Sequence, residues 1–110
     1  MKIYIAAPWV KRNDAQQLAA SLSKEGFDVT SRWHVPAYVE SSSRPVVALR
    51  DLEDIDRADA LVLVTSLLDE NIHGKGMYIE FGYALGKGKK VFRIGPSMSV
   101  FDVLASTELI

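Results

Sequence analysis

The chain has 110 residues, 48% of them apolar and 25% charged, with a formal net charge of -1 and a pI near 6.1. That is the size of one domain, residues 1–110, with a single hydrophobic core and the composition of a soluble globular protein. The near-neutral charge excludes the basic footprint that holds a nucleic-acid backbone, and the lack of cysteine excludes disulfide scaffolds, thiolate metal sites and thiol nucleophiles. The histidines, His34 and His73, show no ligand spacing, so no metal is expected, a carboxylate-only site being without positive support. The opening run Met1 to Ile5 is too short for a signal peptide and soon meets Pro8, and no stretch approaches the ~20 apolar residues of a membrane span. A cytoplasmic protein with a small substrate or a protein partner, and no nucleic-acid or membrane partner, is the expectation.

In chain order, apolar runs alternate with helical patterns, as in βαβ units around a parallel sheet. Lys2 to Ala7 reads as a strand ended by Pro8. A helix is predicted over about Asp14 to Lys24, with Leu18 and Leu22 on one face and Gly26 placed for a left-handed C-cap. Phe27 to Thr30 reads as a second strand, and the polar residues 31 to 44 as a long surface loop of the kind that is often functional. Pro45 fits the first turn of a helix running to about Arg57. Ala60 to Thr65 is a continuous, largely β-branched run suited to a strand buried on both faces. After a loop at 66 to 75, a helix is predicted from about Gly76 to Gly86, then a strand over Lys90 to Ile94, a Gly95-Pro96 turn and a short last helix. The fold class is therefore α/β, a doubly wound three-layer sandwich with a four- or five-stranded parallel sheet. Ligands of such sheets lie outside the carboxyl ends of the strands, which singles out the segments after Ile5, Thr30, Thr65 and Ile94.

On the helix from 45 to 57, Val47, Ala48, Leu52, Ile55 and the following Ala58 share one arc, and Asp51 falls inside it. An aspartate there is desolvated and holds its proton unless partnered, which suits a general acid; the plain alternative is a capping residue at the margin of the stripe. On the next helix Glu80 has Gly76, Met77 and Ala84 as arc neighbours, leaving room for a ligand, whereas a surface glutamate near a helix N-terminus is the default reading. Gly74-Lys75-Gly76 offers a turn able to hold an anion, although a lone Gly-x-Gly is also an ordinary connection. Trp9 and Trp33 follow strands at the ligand edge and can stack on a base or simply pack. A carboxylate pair on consecutive helices suits glycoside-type chemistry, one group attacking the anomeric carbon and the other serving the leaving group.

Ile3-Tyr4-Ile5-Ala6-Ala7-Pro8, Arg50-Asp51-Leu52 through Ile55 and Ala58-Asp59, and Gly76-x-x-x-Glu80-x-Gly82-x-Ala84 with Gly88-Lys89 together resemble the nucleoside 2-deoxyribosyltransferase family. The 2'-deoxynucleoside 5'-phosphate N-hydrolases belong to the same superfamily. The resemblance implies a flavodoxin-like sandwich and a nucleophilic Glu80 that forms a covalent deoxyribosyl ester. It further implies a Tyr4 that orients Glu80, an Asp51 that handles the proton of the base, no cofactor, and homo-oligomers, dimers or larger, whose subunits complete each other's sites. The sugar passes either to another base or to water. Substrate contacts are expected from Ala7, Trp9, Trp33, His34, Gly74, Lys75, Gly76, Ser97 and Ser99. One departure stands out: transferases of the family often carry an aspartate for the sugar hydroxyls where this chain has Gly74. Gly74 at that position, with His34 and with Ser97 and Ser99 as candidate contacts to a 5' group, tilts the reading towards a monophosphate. A nucleotide-binding sensor or partner-binding module on the same fold is the alternative from another class.

Overall fold

The computed structural model describes residues 1–35 and 43–107. Four strands form one parallel sheet: β1 (Lys2–Ala6), β2 (Asp28–Val29), β3 (Ala60–Val64) and β4 (Lys90–Ile94), in the order β2-β1-β3-β4. Helices α1 (Arg12–Lys24), α2 (Arg44–Asp56) and α3 (Lys75–Gly86) make the crossovers. Right-handed crossovers put α1 on one face and α2 with α3 on the other, which gives the expected three layers.

The register explains the burial. Tyr4 lies beside Leu61 and Ile5 beside Val62, while Val62 also pairs with Phe92. β3 is thus enclosed laterally by β1 and β4, and all five of its residues are buried, as its unbroken apolar run requires. Tyr4, Leu61 and Leu63 share the face of the sheet that meets α3, and join Ile55 of α2 and Met77 and Phe81 of α3 in a core whose other side holds Ile3 and Ile5.

Several boundaries move. α1 starts two residues before the expected Asp14, at Arg12, and β2 is cut to Asp28–Val29, because only Lys2 and Ile3 of β1 lie alongside it. Thr65 leaves the sheet for a 3-10 turn, and the last helix shrinks to the 3-10 turn Asp102–Leu104. Among the described residues, the pairing beyond β4 is a single bridge, Phe92 with Ser106, and no fifth strand. Ala48, expected on the buried stripe of α2, is exposed, because the first turns of the helix border an open groove beside α3. Half of the expected loop, residues 36–42, lies outside the described residues. Among the described residues no helix is long and apolar enough to cross a membrane.

Candidate active site

The chain reverses its direction of travel across the sheet between β1 and β3, and a cleft opens outside the carboxyl ends of these strands. Its volume is about 500 Å³, enough for one nucleotide-sized ligand. The floor is built from three elements. Tyr4 is fully buried on β1, and its phenol donates a hydrogen bond to Oε2 of Glu80 on α3. Asp51 on α2 shares a side-chain hydrogen bond with Glu80, and both carboxyls line the cleft.

Burial dominates the electrostatics of this trio. It pushes the Glu80 carboxyl up to about 8, with the Tyr4 phenol pulling it down and Asp51 pushing it further up. Burial likewise pushes Asp51 up to about 6, Asp54 adding to the rise while Arg32 and the hydrogen bond to Glu80 oppose it. The Tyr4 phenol, desolvated and beside two carboxylates, stays protonated far above its ordinary range. Two carboxyls in contact that titrate well above their usual values hold one proton between them near neutrality. Perturbed, mutually bonded acids at a cleft floor mark a site of acid–base or nucleophilic chemistry.

The wall is aromatic. Trp9, 49% exposed just past β1, stands 6.3 Å from Trp33 between ring centroids, and the Arg12 guanidinium covers the Trp9 ring at 4.8 Å. Trp33 is buried and anchored, its indole N–H donating to the Ile5 carbonyl at 2.7 Å. Ala7 completes this side.

Across the cleft lies the loop after β3. Asp69 Oδ1 accepts the backbone N–H groups of Asn71 and Ile72 at 2.7 and 2.9 Å, which sets the loop's turn. Gly74 precedes α3 with φ of 65°, and a Cβ there would sit 2.7 Å from Met77 Sδ and 2.8 Å from Leu68 Cδ2. Glycine takes this left-handed backbone without strain, whereas a larger residue would need the flexible ends of Met77 and Leu68 to shift. Lys75 and Gly76 follow on the cleft rim.

The structure thus brings Tyr4, Asp51, Glu80, Ala7, Trp9, Trp33, Gly74, Lys75 and Gly76 to one place. It does not bring His34, Ser97 or Ser99 there. His34 is buried behind Trp33, edge-on at 5.3 Å, with Nε2 2.9 Å from Ser31 Oγ and its carbonyl bonded to Gln16. Burial lowers its basicity. The turn after β2 sets its ring against Ser31, outside the cleft lining. Ser97 Oγ donates to Asp102 Oδ1 at 2.6 Å and the Ser99 N–H donates to Asp102 Oδ2 at 3.1 Å, outside the lining of this chain's own cleft.

His73, Asn71 and Ile72 line the cleft and escaped sequence reasoning. Their only signal was their place in the loop after β3, at the carboxyl edge of the sheet. Among the described residues, no group of three or more His, Cys, Asp or Glu side chains is arranged to hold a metal ion.

The family model for nucleoside 2-deoxyribosyltransferases matches residues 3–104. No curated protein matches the sequence. Among solved structures the chain is similar to the CMP N-glycosidase BcmB of Clostridium botulinum, at 20% identity and a TM-score of 0.62, over 84% of this chain and 70% of that one. This likeness shows the shared fold. The family match spans the floor trio as well as the sheet, and the chain belongs to the nucleoside 2-deoxyribosyltransferase family, which acts on N-glycosidic bonds.

Proposed function

We propose that the protein cleaves the N-glycosidic bond of a 2'-deoxynucleoside or its 5'-monophosphate by double displacement through Glu80. The observation that carries this reading is the Tyr4–Glu80–Asp51 trio, hydrogen-bonded at the floor of an aromatic-walled cleft. In the free protein the shared proton rests on Glu80, whose carboxyl is the weaker acid of the pair. Its transfer along the hydrogen bond to Asp51 produces an ionised nucleophile and a protonated acid together. The Tyr4 hydrogen bond favours that state by stabilising the Glu80 carboxylate.

A carboxylate oxygen of Glu80 then bonds to C1' as the bond from C1' to the base nitrogen breaks. The bonding pair leaves with the base, and Asp51 delivers its proton there. The products are the free base and a sugar ester of Glu80. Water or a second base next attacks C1' on the opposite side, Asp51 takes the proton released, and Glu80 leaves as carboxylate. Two inversions give net retention. Trp9 offers its exposed ring face to the base, and Lys75 lies where an anionic substrate group can meet a cation. No step calls for a cofactor.

A homo-oligomer belongs to the same reading. A smaller groove of about 240 Å³ between α2 and α3 reaches Asp51 and Glu80 from outside, bordered by Ala48, Leu52 and Ile79. A second copy seated there shuts water out of the floor. Ser97 and Ser99, bonded to Asp102 outside their own cleft and beside the exposed Met98, Val100 and Phe101, lie on a face that a neighbouring subunit's substrate can reach.

A chromatographic panel of nucleosides and 5'-monophosphates, deoxy and ribo, with cytidine monophosphate included, tests the reading. Free base released from a monophosphate without an acceptor identifies an N-hydrolase. A new nucleoside formed only with an acceptor base identifies a transferase. No bond cleavage across the panel sinks the proposal.

A further inference from the structure

Asp54 is fully buried on α2, one turn beyond Asp51, and is not part of the cleft lining. Its carboxylate accepts the Arg32 Nε–H at 3.0 and 3.1 Å, the Arg32 backbone N–H at 3.1 Å, and lies 2.7 Å from Arg32 Nη2. The Arg57 guanidinium also reaches it. On the backbone side, the Thr30 hydroxyl donates to the Asp54 carbonyl at 2.8 Å. Residues 30 and 32 follow β2, so these bonds pin α2 to the carboxyl end of that strand. A buried ion pair is a poor stability device, because desolvation offsets much of its attraction. Its place relative to Asp51 suggests a different use.

Residues three apart on a helix are neighbours, which puts the Asp54 charge beside Asp51. The charged and titratable groups around Asp51 come from every element packed on it: Asp54 on α2 itself, Arg32 after β2, Tyr4 on β1 and Glu80 on α3, with His73 and Lys75 on the far side of the same cleft. Arg32 also approaches Glu53 at 3.9 Å. Asp54 and Arg32 act on Asp51 with opposite sign. We infer that the Arg32–Asp54 pair is a positioning device for Asp51, fixing the turn of α2 that presents this acid to Glu80 and setting how firmly it holds its proton. The inference rests on the proposed reading of Asp51 as the group that serves the base.

The experiment is a carbon-13 carboxyl NMR titration of Asp51, run beside the pH dependence of kcat and KM, in the natural protein, Asp54→Asn and Arg32→Gln. Losing the negative neighbour lowers the Asp51 midpoint, and losing the positive one raises it, each by about 0.5 pH or more. The kcat limb follows, while KM stays within about twofold. Midpoints that stay fixed, or that move the same way in both variants, overturn the inference. If Asp54→Asn does not fold, Arg32→Gln decides alone, and no upward movement overturns it. Midpoints that move as expected in a protein that cleaves no glycosidic bond uphold the pair and sink the proposed reaction. An active enzyme with an unmoved Asp51 sinks the pair and leaves the reaction standing.

Discussion

A carboxylate that attacks C1' must be ionised, yet burial holds the Glu80 carboxyl up to about 8 and Asp51 up to about 6. Below about pH 6 both carry protons and no nucleophile remains; above about pH 8 both are ionised and no acid remains. A bell-shaped kcat profile between those limits is expected, and a flat profile would remove the pair from the chemistry. Tyr4→Phe deletes the bond that pulls Glu80 down, so the alkaline limb moves up while the rate falls. The same burial makes Glu80 costly to the fold. A carboxyl whose folded value is raised contributes stability present below its unfolded value and lost as pH rises through the folded one, here from about 4.5 to about 8. Glu80→Gln is therefore expected to abolish turnover and, in a melt at pH 8.5, to raise Tm by about 4 °C or more. A variant that melts lower while losing activity would mark Glu80 as structural. Asp51 and Glu80 were visible in the sequence, because helical periodicity put two acids on inward arcs and the family resemblance gave them roles. Asp54 was not. Its partner Arg32 is 22 residues away, and nothing local shows that such a pair closes.

At the scale of elements, the placement of α3 depends on its entry. Gly74 has a left-handed backbone, and a Cβ there would press on the side-chain ends of Met77 and Leu68. Gly74→Ala costs about 1–3 kcal/mol from backbone strain and overlap, lowering the thermal midpoint. The rim residues Lys75 and Gly76 shift with it, so kcat/KM falls even at temperatures where the variant is folded. An unchanged kcat/KM would show that the rim does not touch substrate. Opposite this loop, His34, Ser31 and Gln16 brace the turn that holds Trp33. Trp9 lacks that bracing and is half exposed, as a platform for a base must be. Trp9→Ala removes stacking worth about 1–3 kcal/mol, so KM rises about tenfold or more with kcat little changed. A fall in kcat alone would place the base elsewhere. The order of strands and helices was legible because each carried its own period. The inward turn of His34 was not, since a histidine just after a strand faces the cleft or the interior according to a single turn, and here Ser31 captures the ring.

For the molecule as a whole, the exposed apolar surface bears on assembly. Leu49 and Ile79, on the outer sides of α2 and α3, are 63% and 70% exposed, and Met98 to Leu104 adds a second apolar stretch beyond β4. Apolar patches of this kind on a small domain mark interfaces. The groove beside Ile79 opens onto Asp51 and Glu80, so the carboxyl pair is covered on the cleft side by substrate and on the groove side by nothing within the described chain. A glycosyl ester intermediate in that position is open to water from behind. If a second copy closes the groove, the mass in solution is a multiple of 12.2 kDa. Ile79→Glu, placed outside the cleft lining, then yields a folded monomer with depressed kcat. In a transferase, this variant also sends a larger share of the sugar to water. Light scattering, circular dichroism and product ratios read these effects separately. A natural protein that is monomeric and fully active at nanomolar concentration would show instead that one chain protects its own intermediate. The apolar surface would then need another partner to explain it.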